Sequence, residues 1–215
     1  MLAMRLAMFL ISLTLLAQPR PIPVDNEWTR AVLATARPGP KGRLHKHDMN
    51  RVMIYLDKGT QVLEYENGPV KTISAEAGEI QFDPRGGMHT SAIPGNREFR
   101  IVEIELRKEG GPVTWPKDDP VKIAPKVYKV ELDNSQVRIL RVKLAPHQKI
   151  PEHEHALNRI LVPLTEIDMA VTASDGKTTH TTGKSGDVLP GKPVRHREEN
   201  TLDKPVEYII VEFKD

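Results

Sequence analysis

The chain has 215 residues, 39% hydrophobic and 28% charged, a balance that excludes a largely disordered protein and suits one large domain or two small ones. Its 31 basic and 29 acidic residues are interspersed, with no basic stripe of the kind a nucleic-acid groove needs. The absence of cysteine excludes disulfides, a thiol nucleophile, Cys-ligated metal and a lipid-anchored cysteine.

The amino terminus, MLAMRLAMFLISLTLLAQPRPIP, has Arg5 in a short basic region, an apolar run from Leu6 to Ala17 and a proline-rich exit. That is the layout of a secretory signal peptide. The run of twelve residues falls short of the roughly 20 that cross a bilayer as a helix. Residues 1–17 are therefore predicted to be a cleaved leader, giving a periplasmic or secreted protein with no membrane contact after cleavage. An uncleaved anchor and a buried first helix are the alternatives, and Leu15 suits a cut after Ala17 poorly.

Beyond the leader, aromatics are scarce while Val, Ile and Leu are plentiful, and 18 prolines and 14 glycines punctuate the chain. This favours strands over helices. RVMIYL, QVLEYE, VKTISA, EIQF and FRIVEIEL follow one another in the first half, separated by Gly, Pro or Asn-Gly signals, and QVLEYE alternates as a half-buried strand does. Arg107 to Pro120, RKEGGPVTWPKDDP, reads as a linker. The predicted division is residues 18–108, a linker at 109–120, and residues 121–215.

The second half repeats the first. HKHDMNR at His45 returns as HEHALNR at His153, 108 positions later, and the same spacing relates VDNEWTR to LDNSQVR, Asn67-Gly68 to Asp175-Gly176, and Gly78-Glu79 to Gly186-Asp187. One residue is then lost, placing His89 opposite His196 and FRIVEIEL opposite EYIIVEFK. Closely spaced antiparallel strands with such turns predict an all-β chain, a jelly roll or barrel in each half. Exposed barrel-edge strands make a homodimer plausible.

Of eight histidines, six form two aligned triplets: His45, His47 and His89, then His153, His155 and His196. His147 and His180 fall outside them. Side chains alternate along a strand, so an H-x-H pair directs both imidazoles to one side, where a third histidine from a neighbouring strand can join them. Three neutral imidazoles suit a divalent Fe, Mn, Cu, Ni or Zn ion and leave positions open for water or substrate.

These residues resemble the cupins, and the two-domain bicupins in particular. Gly39, His45, His47 and Gly59 match the first cupin motif, and Gly78, Pro84, Gly86 and His89 the second; His153, His155, Gly186, His196 and Asn200 match in the other half. The resemblance implies two tandem cupin-type jelly-roll barrels with the six histidines as metal ligands. It departs from the family at the metal-binding glutamate, whose place is taken by Arg51 or Val52 and by Arg159 or Ile160. Counting back from Gly59 favours Val52 and a three-histidine site. Inward Arg51 and Arg159 would instead oppose a cation and bind an anionic ligand. Ile167 stands where Gly59 would repeat, and Ile93 stands at the place of the motif's asparagine, with Asn96 lying later.

Other residues carry two readings each. Asn50 and Asn158 could touch substrate or brace a ligand histidine, or stabilise a turn. Glu152, Glu154, Glu198 and Glu199 surround the second triplet and could supply a carboxylate ligand or general base, although solvation at the surface is the default for such residues. Arg30 and Arg138 suit surface ion pairs, and Trp28 and Trp115 suit packing. Two functions follow: a metal-dependent enzyme of dioxygenase, decarboxylase or isomerase type acting on a small molecule, or an exported small-molecule-binding module in which Arg51 and Arg159 replace the metal. A third reading makes one half catalytic and the other a degenerate copy, with the second half's mismatched glycine and shortened loop marking it as the copy.

Overall fold

The computed structural model describes residues 24–215, so the leader expected at 1–17 lies outside the described residues. In the first half the β-rich segments form β1 (Val24–Asp25), β2 (Thr29–Ala36), β3 (His45–His47), β4 (Arg51–Tyr55), β5 (Gly59–Tyr65), β6 (Val70–Ala75), β7 (Ile80–Asp83), β8 (Gly86–Ala92) and β9 (Phe99–Leu106). A single helical turn, α1 (Pro120–Ile123), precedes the second set. That set is β10 (Tyr128–Asp133), β11 (Val137–Leu144), β12 (Lys149–His155), β13 (Arg159–Pro163), β14 (Ile167–Ala173), β15 (Thr178–Gly183), β16 (Leu189–Gly191), β17 (Val194–Asn200) and β18 (Val206–Phe213).

The repeat holds strand for strand. The first half builds the sheets β1-β2-β9-β4-β7 and β3-β8-β5-β6, and the second builds β10-β11-β18-β13-β16 and β12-β17-β14-β15. Every pairing is antiparallel, as in β4 against β9 and its counterpart β13 against β18. This is the cupin-type jelly roll twice over, as the sequence predicts. Among the described residues no helix is long and apolar enough to cross a membrane.

Alternation within the five-stranded sheets decides what each residue faces. Val52, Ile54, Val102 and Ile104 turn one way, into a core shared with Val137, Ile139, Ile160, Val162, Ile209 and Val211 of the other half. Fully burying each such side chain stabilises by about 1.5–3 kcal/mol. The glycines of the repeat serve this contact: Gly186 adopts φ +91° and a Cβ there would lie 2.6 Å from Leu56 of the other half, while the Gly78 carbonyl accepts a 2.5 Å hydrogen bond from Arg141 Nη2. Val52 thus belongs to the seam between halves, and the motif count that placed it at the glutamate position is corrected. Arg51, one residue earlier on β4, turns into the barrel.

The barrel interiors differ. In the second, Tyr128, Leu140, Val142, Leu144, Ile150, Ile167, Met169, Tyr208 and Ile210 fill the space. In the first, a smaller group of Met53, Tyr55, Ala75, Phe99 and Ile101 leaves a cavity of about 340 Å³. The unmatched glycine also has a physical reason. A Cβ on Gly59 would lie 2.3 Å from the Phe99 ring, whereas the equivalent pair in the second barrel is Ile167 with the smaller Val206.

Residues 109–120 are fastened to the second barrel. The Glu154 amide donates to the Asp118 carbonyl at 2.9 Å, Asp118 pairs with Arg195 at 2.8 Å, and Trp115 lies 3.4 Å beneath the Arg138 guanidinium. Asp119 caps α1 by accepting from the Val121 amide.

Candidate metal centres

The H-x-H segments lie on strands, with both imidazoles on one face as alternation requires. Cross-strand pairing then adds the third: His45 is opposite His89 on β8, and His153 is opposite His196 on β17. In each triad the three nitrogens nearest one another lie within 4.8 Å. Ring separations repeat closely: 5.0, 4.6 and 5.4 Å in the first triad and 5.2, 4.7 and 5.5 Å in the second.

Hydrogen bonds fix which nitrogen faces inward. The Nδ1 atoms of His45, His89 and His153 donate to the carbonyls of Arg43, Gly87 and Pro151 at 2.8, 3.0 and 2.9 Å, leaving Nε2 with its lone pair. His155 Nδ1 instead donates at 3.0 Å to the Glu212 carboxylate, whose other oxygen accepts from Arg138 Nε at 2.6 Å. Arg138 continues to Asp119 at 2.7 Å, so the segment before α1 is tied through two carboxylates to a triad histidine. Arg138 is therefore a buried brace, which corrects the surface ion pair expected of it; Arg30, 3.4 Å from Glu105, is the more open counterpart.

The second triad is buried, and the Nε2 atoms of His155 and His196 have no hydrogen-bond partner. Such orphaned acceptors converging in a buried site fit a metal ion. Burial also holds the imidazoles in the neutral form a ligand needs: it lowers His196 to about 4, and it drives His155 well below its ordinary value, helped by the charge of Arg159. In the first triad burial and the charge of Arg51 lower His47 to about 4.

Around this frame the other predicted residues sort themselves. Arg51 is buried, lines the first cavity with the histidines, and pairs with Asp83 and, at 3.0 Å, with Glu103, so its charge is offset by two carboxylates. Arg159 donates to the Lys192 carbonyl and packs along Gly191. Asn50 donates to Gln136 of the other half at 2.6 Å and accepts from the Arg85 amide at 2.7 Å, a tie between halves and not a contact to the triad. The Asn158 carbonyl accepts from the Phe213 amide, joining β13 to β18.

Of the four glutamates near the second triplet, Glu152 and Glu154 pair with Arg195 on the surface and Glu199 pairs with Lys149. Glu198 departs from the solvation expected of it. Its side chain is only 10% exposed and lies 3.7 Å from His196 Nε2 and 4.0 Å from His153 Nε2. Tyr128 donates to it at 3.0 Å, and the Tyr208 hydroxyl stands 3.5 Å away. Burial opposes its charge, but the surrounding imidazoles and the Tyr128 hydroxyl outweigh this and keep its carboxyl below the usual range. The signal was in the parity: in His196-Arg197-Glu198 the first and third side chains share a face.

No protein-family model and no curated protein sequence matches the chain. Solved structures match in fold. AerE from Microcystis aeruginosa aligns with a TM-score of 0.64 at 15% identity over 87% of this chain and 88% of its own. An oxalate decarboxylase from Bacillus subtilis aligns at 0.59 and 17% identity, over 88% of this chain and 69% of its own, and another structure of that enzyme concerns its Mn(II) centres. Vicilin from Corylus avellana, hazelnut, aligns at 0.55 and 11% identity over 86% of this chain and 74% of its own. The architecture is thus similar to that of both a decarboxylase and a vicilin, and it leaves the activity to be argued from the site.

Proposed function

We propose that the chain is an exported bicupin whose histidine triads hold divalent transition metal, and that it acts on a small molecule admitted to a barrel. The observation that carries this reading is the second triad: three buried imidazoles, with the Nδ1 atoms of His153 and His155 engaged and the Nε2 atoms of His155 and His196 unsatisfied. A metal held there supplies Lewis acidity toward an oxygen-bearing substrate. The chain's own residues orient the imidazoles, keep them neutral and exclude water from the second site. Dioxygenase, decarboxylase and isomerase chemistry all suit such a centre, and the likeness to a Mn(II)-containing decarboxylase favours Mn among Fe, Mn, Cu, Ni and Zn.

A second reading has its own observation. Arg51 turns into the first cavity beside the triad, which favours ligand binding there without metal. Its pairing with Asp83 and Glu103 weighs against a bare anion as that ligand.

Elemental analysis of the full protein recovered from its native compartment tests the main reading. One or two equivalents of transition metal are expected, falling in a His45→Ala/His153→Ala variant. A folded wild-type protein that carries no metal and takes none up would leave the binding module as the surviving function.

A further inference from the structure

We propose that Glu198 is the fourth ligand of the second triad, a carboxylate supplied from the strand of the third histidine in place of the glutamate missing after the H-x-H pair. This rests on the metal reading above and extends it to a residue that neither cupin motif specifies. A carboxylate that is 10% exposed requires a partner for its charge. Among the described residues Glu198 forms no direct ion pair with lysine or arginine, the Arg159 charge acting on it only from beyond contact; its direct contacts are His153, His196 and two tyrosine hydroxyls, all on the side of the triad. Three neutral imidazoles leave a divalent ion with its full charge in a buried site, and one carboxylate halves it.

Strand register shows why only one half has this ligand. Glu198 pairs with Ile150 on β12 and Val171 on β14. The equivalent position on β8, opposite Leu63 of β5, is Ser91, whose hydroxyl accepts from Gln61 at 2.8 Å. The two centres are therefore inequivalent: three nitrogens and one carboxylate in the filled second barrel, three nitrogens beside an open cavity in the first. This weighs against the reading that makes the second half the degenerate copy.

Cobalt(II) binding by the full chain reads the proposal directly, because its visible absorption reports the ligand set. In a His45→Ala/His47→Ala background, which leaves one triad, E198Q is expected to weaken Co(II) binding at least about tenfold, the scale seen when even an outer partner of a ligand is removed, and to change the absorption band. Unchanged affinity and spectrum in E198Q, with binding lost in H196A, would overturn the role of Glu198 and leave the metal reading standing. No Co(II) uptake by the parent overturns both. Should E198Q not fold, Ser91→Glu decides from the cavity side. With His153→Ala silencing the second triad, the added carboxylate should tighten Co(II) at the first at least about tenfold, and no gain overturns the proposal.

Discussion

Glu212 is the residue through which the rest of the second barrel reaches its triad. One carboxylate oxygen accepts a hydrogen bond from His155 Nδ1 and the other accepts one from Arg138 Nε. Glutamine in its place would keep its carbonyl for Arg138 and present an NH₂ group to His155. The imidazole would then carry its proton on Nε2 and lose the lone pair that faces the other histidines. E212Q is expected to reduce metal affinity about 10–100-fold, the usual effect of removing such a partner, while the fold keeps its far-UV spectrum. In the first half Glu105 holds a looser 3.4 Å contact with Arg30, so E105Q should change metal content little. Equal losses in the two variants, read by metal titration, would count against a specific role for Glu212. The histidines themselves were legible in the sequence because H-x-H recurs, and Glu198 was legible as one of four neighbouring glutamates that strand parity could single out. Glu212 was not, because it reaches its triad from a strand whose register the sequence does not state.

At the scale of the strands, the repeat is preserved by compensation as much as by identity. Gly59 opens β5 where the Phe99 ring covers it, and Ile167 opens β14 where Val206 leaves room. G59A would force a methyl group into an aromatic ring 2.3 Å away and is expected to cost about 1–3 kcal/mol. Adding Phe99→Val should recover most of that loss. Urea unfolding of the single and double variants measures it, and a double variant no more stable than G59A would sink the compensation. The strands RVMIYL, VKTISA and FRIVEIEL were readable from β-branched runs bounded by turn signals, and they form within a residue of the expected bounds. The short β3 and the glycine-led β8, which carry the three histidines of the first triad, lack such runs; the motif located them, not propensity.

Across the whole molecule, the seam between halves explains why the glutamate of the cupin motif has no place on Val52. That residue is fully buried in a core to which both five-stranded sheets contribute, and Ile104 pairs with it on the adjacent strand. Sequence spacing favoured Val52 over Arg51 and chose the wrong face, since a one-residue choice of loop length flips it. The seam decides it, because β4 must give its apolar face, Val52 and Ile54, to the other half and hence its Arg51 face to the cavity. Restoring a glutamate as V52E would therefore bury an unpaired carboxylate between the sheets and add no metal ligand. A loss on the order of 3–5 kcal/mol is expected from such a buried charge. Because the core is continuous, both halves should lose it together, melting in calorimetry as one transition displaced to lower temperature. A second half that melts at the wild-type temperature in V52E would show that the seam does not couple them. A gain in metal by the folded variant would return Val52 to the site.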